Sequence, residues 1–281
     1  MSVIQVGLAD KTGELNPTLV QSVAAALNLQ VIRDLPQFWN VQATVNYLPH
    51  PRHVPAGVWP VFLVKELPPG EGGVHLDRHN QPYAKVIASP DSDEWTIDAS
   101  HETLEMLVDP WGNRMQSSTS IEIVKDGVED GNSQFGYLVE ACDPCEADEF
   151  GYPILGVQVS DFITPHYYDP VETTGTRYSF TGAIKRPREL LKGGYISFVD
   201  LDTDEWQQIV WVDPGPPQLR DLGPAQGRSL REWVDGVMRK NTKAGSFRPY
   251  ERKPDKKLQE HRAKKREALF GIAEKRGASY R

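Results

Sequence analysis

Residues Ser100-His101-Glu102-Thr103-Leu104-Glu105-Met106-Leu107-Val108-Asp109-Pro110 narrow what this chain can become more than any other stretch. The spacing predicts a helix that stops at Asp-Pro, because proline has no N–H to give and pushes the residue before it out of helical geometry. His101 and Glu105 stand four apart, so they project from one face of that helix, one turn from each other. An imidazole and a carboxylate so placed can grip one metal ion. Glu102 lies between them, where a general base acting on water would stand. The plainer alternative is an amphipathic helix with Leu104, Leu107 and Val108 inward and its charges in water.

The 281 residues are 39% hydrophobic, enough for one large domain with appendages. No apolar run approaches the roughly 18 residues of a membrane helix. Met1–Val6 lacks the basic and long apolar regions of a secretion signal. The expectation is a protein kept in the cytoplasm or packed there into a particle such as a virion, without membrane contact. The net charge of −8 is uneven: from Arg228 onward 17 Lys and Arg face 7 Asp and Glu, which leaves a strongly acidic body. A basic tail of this kind implies a protein assembly partner, a nucleic acid, or a solvated helix folded back on the body. The run Lys264-Lys265-Arg266 has no interleaved aromatics, so base stacking is not indicated.

Hydrophobic periodicity predicts a strand over 2–8, a helix opened by Asn16-Pro17, and strands over 41–48, 59–64 and 83–88. Pro68–Gly73 reads as a loop. After the motif helix, strands are expected over 120–124, 154–159, 195–199 and 208–212. The order implies an α+β domain over residues 1–215, a Pro/Gly linker over 216–229 and a basic helical tail over 230–281. Within the tail a helix is expected near Leu230–Met238, a hinge over Asn241–Pro254 and a charged helix over Asp255–Lys275.

A catalytic metal helix supplies two ligands and needs a third from elsewhere, with one position left open. Glu140 and Asp143, in Tyr137-Leu-Val-Glu140-Ala-Cys142-Asp143-Pro-Cys145-Glu146, are the natural donors. Cys142 and Cys145 have redox-motif spacing, yet Gly151 and Pro153 deny them a following helix, so a packed thiol pair beside the site or a thiolate ligand is the better reading. His166 lies where it can line a cleft, and Tyr167 or Tyr168 can donate to an oxyanion, with core or rim packing as the alternative. His75 and His79 follow the glycine-rich loop; they can reach the cleft, with surface loop residues as the default reading. Asp200-x-Asp202-x-Asp204 reads as a polar turn, since it lacks the later residues of a calcium loop.

Taken together, His101, Glu102, Glu105, Asp109 and Pro110 with Glu140, Asp143, Cys145 and Glu146 resemble a group of zincin-like proteins. That group includes the plant exordium-type (phosphate-induced) proteins and bacterial and phage relatives. Further resemblance lies in Gln30–Asp34 with Trp39, in Pro82–Val86, and in Val157–Phe162 with Pro165. It covers roughly residues 15–200 and omits the basic tail. The resemblance implies a zincin-like mixed sheet with a metal-site helix, and Tyr83–Ala88 as the edge strand along which a peptide or protein substrate lies. It implies zinc, or another divalent ion, on His101 and Glu105 with Glu140 or Asp143, and Glu102 as the base that activates water. Glutamate in place of the usual second histidine lowers the ion's net charge and so its power to acidify water. The expected function is a metal-dependent, peptidase-like hydrolase of full, reduced or lost activity. The alternative is a non-catalytic structural protein of a phage particle or similar assembly, stapled by metal and docked by its tail.

Overall fold

The computed structural model describes residues 3–68, 71–212, 214–226 and 229–243, the last five by their backbone alone. Strand β1 (Ile4–Asp10) leads into helix α1 (Pro17–Leu29), opened by Asn16, whose side chain accepts from the Thr18 N–H, and by Pro17 at the first turn. The helix then loosens into a π-helical turn over Gln30–Asp34. Strands β2 (Ala43–Tyr47), β3 (Val58–Val64), β4 (Gly73–Arg78) and β5 (Gln81–Ile87) follow. They form a five-stranded sheet in the order β2-β1-β3-β5-β4, parallel except for β4.

Helix α2 (Trp95–Val108) packs on β5 and β4, and α1 packs on β2. Val6, Leu8, Val61, Leu63, Ala84 and Val86 from the sheet meet Val20, Val23 and Leu27 of α1 and Leu104 of α2 in one core. Long strands β6 (Met115–Val124) and β7 (Gly127–Leu138) form a hairpin. A short hairpin, β8 (Tyr152–Ile154) and β9 (Val157–Val159), comes next. Strands β10 (Tyr195–Asp200), β11 (Glu205–Val210) and β12 (Gln218–Gly223) complete a second, antiparallel sheet in the order β12-β11-β10-β7-β6. Helix α3 (Leu230–Lys243) lies against β12 over a separate small cluster of Leu138, Val199, Trp206, Leu222 and Val234. The chain is thus α+β. Among the described residues no helix is long and apolar enough to cross a membrane.

Three expectations change, and strands β4 and β7 appear where none was expected. Tyr83–Ala88 is not the edge: β5 lies between β3 and β4, and β4 takes the edge. The hairpin that adds β4 turns through His79 and Asn80, both at positive φ (55° and 61°), without the glycine that usually announces such a turn. The stretch 154–159 is a hairpin, turned by Leu155 (φ 49°) and Gly156 (φ 79°). Strand β7, with Gly127, Gly131, Gly136, Asp130 and Asn132, has a loop's composition and is held by pairing with β6 and β10. Finally, the expected linker 216–229 holds β12, and the expected tail begins with a packed helix. The rest of the hinge and the charged helix, from residue 244 on, lie outside the described residues.

Candidate metal centre

Thirteen of the 14 residues of α2 are buried, so its acids are not in water and the amphipathic alternative fails. Two polar faces fix the helix. On one, Thr96 donates to the Gln158 carbonyl (2.9 Å), and Ser100 Oγ donates to Gln30 Oε1 (2.7 Å) while accepting from the Ser160 N–H (2.9 Å). Gln30 Nε2 donates to the Ser160 carbonyl (2.9 Å) and to the Tyr152 hydroxyl (3.1 Å), which donates to Asp34 Oδ2 (2.9 Å). The π-helical turn turns Gln30 inward to make these bonds. Asp109 ends the helix by accepting from the Arg114 N–H (2.6 Å).

The other face carries His101, Glu102 and Glu105. His101 Nε2 lies 3.2 Å from Glu105 Oε2 and 3.1 Å from Asp143 Oδ1. Asp143 comes from the 3-10 turn Asp143–Cys145, just beyond β7. Glu140 joins Glu105 and Asp143 in a triad of carboxylates with converging oxygens. Strand β4 contributes His75, whose Nδ1 lies 3.4 Å from Glu102 Oε2 and 3.5 Å from Glu105 Oε2. The expectation that His75 is a surface residue is therefore corrected: it is 1% exposed. The glycines before it make the stretch read as loop, and the burial of β4 does not alternate, with neighbouring Val74 and His75 both inside, so no period-2 pattern marks the strand. Arg231 of α3 reaches in from the opposite side, with Nη1 2.9 Å from Asp143 Oδ2 and 3.3 Å from Glu140 Oε2.

Such a density of charge is sustained only by mutual compensation. Burial alone would lower the pKa of His101, but the charge of Glu105 and the contact with Asp143 outweigh it and hold the imidazole well above its usual value. For His75 burial is likewise outweighed, by Glu102 and Glu105. Burial would raise Glu105, yet His101 and His75 hold it well below the usual carboxylate range. Burial pushes Glu102, Asp143 and, most strongly, Glu140 upward.

The donor set fits a divalent cation. Glu102 Oε2, Glu105 Oε2, both Glu140 oxygens, Asp143 Oδ1 and both His75 nitrogens are buried and make no hydrogen bond of good geometry. Orphaned lone pairs in a protein interior are costly unless something binds them. A divalent ion brings the same two positive charges as the two imidazolium protons it would displace. Cys142 stands close enough to His101 and Glu105 to share a ligand set, and without an ion burial pushes both thiols well above their usual values. Its N–H donates to Glu105 Oε1 (3.1 Å), so the cysteine backbone orients the carboxylate.

The two expected cleft residues downstream lie elsewhere. His166 is exposed and pairs with Asp169 (Nδ1 to Oδ2, 2.7 Å). Tyr167 is fully buried and donates its hydroxyl to the Glu189 carbonyl (3.0 Å), so it has no proton to offer an oxyanion. Loop residues that follow a strand are placed by their own packing, which the sequence pattern did not specify. Asp200–Asp204 is the polar turn expected, with the Asp202 N–H donating to Asp200 Oδ1 (2.9 Å).

No family model matches the chain, and no curated protein or solved structure matches it.

Proposed function

We propose that this chain is a divalent-metal-dependent hydrolase of peptidase-like, zincin type, with zinc as the first candidate ion. The observation that carries this reading is that His101 Nε2 lies 3.2 Å from Glu105 Oε2 and 3.1 Å from Asp143 Oδ1, both oxygens that no hydrogen bond satisfies. His101, Glu105 and Asp143 would hold the ion, with Glu140 beside them as a further donor. When bound, the ion supplies Lewis acidity for water activation and carbonyl polarisation. Glu102 takes the proton of the attacking water and returns it to the leaving amine. Burial raises its pKa above the usual carboxylate range, and His75 stands against its carboxylate. In place of Tyr83–Ala88, β4 is the edge strand beside α2, and an extended peptide adding to that edge is the substrate class we assign.

Elemental mass spectrometry of protein purified without chelators or a metal-affinity tag tests the centre. About one zinc or other divalent ion per chain is expected. A folded protein that holds no ion and takes up neither zinc nor manganese would end the reading. In a peptidase assay, Glu102→Gln is expected to lose at least 100-fold in kcat with metal retained.

One observation favours a second reading. The side chains of His75, His101, Glu102, Glu105 and Asp143 are all 8% exposed or less, and Arg231 closes the cluster. A closed centre suits a structural metal in a non-catalytic protein, such as a component of a phage particle docked through its basic tail. There Glu102→Gln would change nothing, whereas His101→Ala would lower the melting temperature.

A further inference from the structure

The closure of the centre has an identifiable cause. Arg231 is the second residue of α3, it is 5% exposed, and its guanidinium faces the two acids that the body supplies to the centre from beyond β7. Its seat is shaped. The Arg231 N–H donates to the Gly112 carbonyl (3.0 Å), and the Leu230 N–H donates to Asn113 Oδ1 (2.8 Å). Gly112 is at φ +60°, and a Cβ there would stand 2.6 Å from Arg231 Cβ, so the loop leaves room for this one approach. Arg231 Nε also faces Asp235 one turn on (3.3 Å), which holds the guanidinium in line.

The anchorage of α3 is separate from the main core. Val234 and its neighbours pack on Leu138, Val199, Trp206 and Leu222, and Trp233 meets Trp206 edge to face. A helix held by a small satellite cluster can leave while the main core stays intact.

We propose that α3 is a latch in which Arg231 stands in for a cation at Glu140 and Asp143, so that seating the latch and loading the centre with a divalent ion oppose each other. This rests on the metal-centre reading above and adds its regulation. A guanidinium and a divalent ion drawn to the same buried carboxylates repel one another at low dielectric. Linkage makes the effect reciprocal: whatever the latch costs metal affinity, the metal costs the latch. Release of α3 would also uncover the acids that it now closes off.

The test is zinc affinity of the full-length chain, measured by competition with a chromophoric chelator, together with hydrogen exchange of the 230–238 amides with and without zinc. Arg231→Met is expected to bind zinc at least tenfold more tightly than the parent. Arg231→Lys, which keeps the charge, is expected to stay within about threefold. In the parent, zinc is expected to speed exchange across α3. Val234→Asn loosens the latch without touching any carboxylate and should also tighten zinc binding; it decides the matter if Arg231→Met does not fold. Weaker or unchanged binding in Arg231→Met, or α3 amides that zinc protects, would overturn the latch and make Arg231 an orienting residue for Asp143. No zinc bound by any variant would sink the metal centre itself, and the latch with it.

Discussion

Two faces of one helix treat buried polarity in opposite ways. Ser100 and His101 are neighbours on α2, about 100° apart around its axis. On the Ser100 side, the side chains of Thr96, Ser100, Gln30 and Tyr152 all find partners between 2.7 and 3.1 Å. On the His101 side, seven buried nitrogens and oxygens of His75, Glu102, Glu105, Glu140 and Asp143 make no hydrogen bond, and most of them face only an opposite charge 3.1–3.5 Å away. A fully satisfied network rigidifies and positions; a half-satisfied one is a liability to a fold that gains nothing from it. The contrast teaches that the first face places the helix, while the second carries the buried charges that the proposed ion would satisfy. It also explains why residues as distant as Gln30, Ser100 and Ser160 belong together: they are one network, and it fixes the helix one residue before His101.

The largest way to break this contrast is to unbalance the satisfied face. Gln30→Leu strands the Ser100 hydroxyl and the Ser160 carbonyl, and should cost about 2–4 kcal/mol in urea unfolding. Zinc affinity should fall as well, because α2 loses its placement; an unchanged affinity would mean that the network does not position the centre. The second test fills the unsatisfied face. Zinc at about 100 times its dissociation constant should stabilise the chain by about 2.7 kcal/mol, and a chelator should reverse this in thermal unfolding. A third substitution relieves the crowding in the absence of metal. Glu140→Gln keeps the shape and removes a buried charge that desolvation opposes. It should raise metal-free stability by about 1 kcal/mol while weakening zinc binding.

The two faces also differ in how far the sequence revealed them. His101, Glu102 and Glu105 were readable because helical geometry alone brings them together. Asp143 and Glu140 were readable as donors, though not the division between them, since that depends on which oxygen Arg231 takes. Arg231 was not readable, and His75 only as one of two histidines able to reach the cleft. One sits 88 residues beyond Asp143 in a stretch whose charge suggested a tail, and the other follows glycines that suggested a loop. The parallel strands were legible from their buried positions, since Val6, Leu8, Val61, Leu63, Ala84 and Val86 recur at every second residue on the face that α1 and α2 cover. Strand β7 was not, because its pairing with β6 and β10 overrides a composition poor in strand formers.

The smallest expected effect is the sharpest probe of Glu102. Gly73 opens the edge strand β4 directly against this residue: a Cβ at Gly73 would come within 2.6 Å of both Glu102 Cγ and Oε1. Its backbone is not in a left-handed conformation, so Gly73→Ala carries no backbone strain, and the added methyl acts only by displacing the carboxylate. Because the displaced group is the end of a flexible side chain, stability should change by less than about 1 kcal/mol. His101, Glu105 and Asp143 are untouched, so zinc content should remain at the parent level. If Glu102 is the base, however, a shift of about 1 Å should lower kcat by roughly 100-fold, since proton transfer depends steeply on position. Lost zinc in Gly73→Ala would instead place Glu102 among the ligands. Unchanged kcat and unchanged zinc in a protein that hydrolyses peptides would move the base elsewhere, with His75, which faces both Glu102 and Glu105, as the next residue to replace.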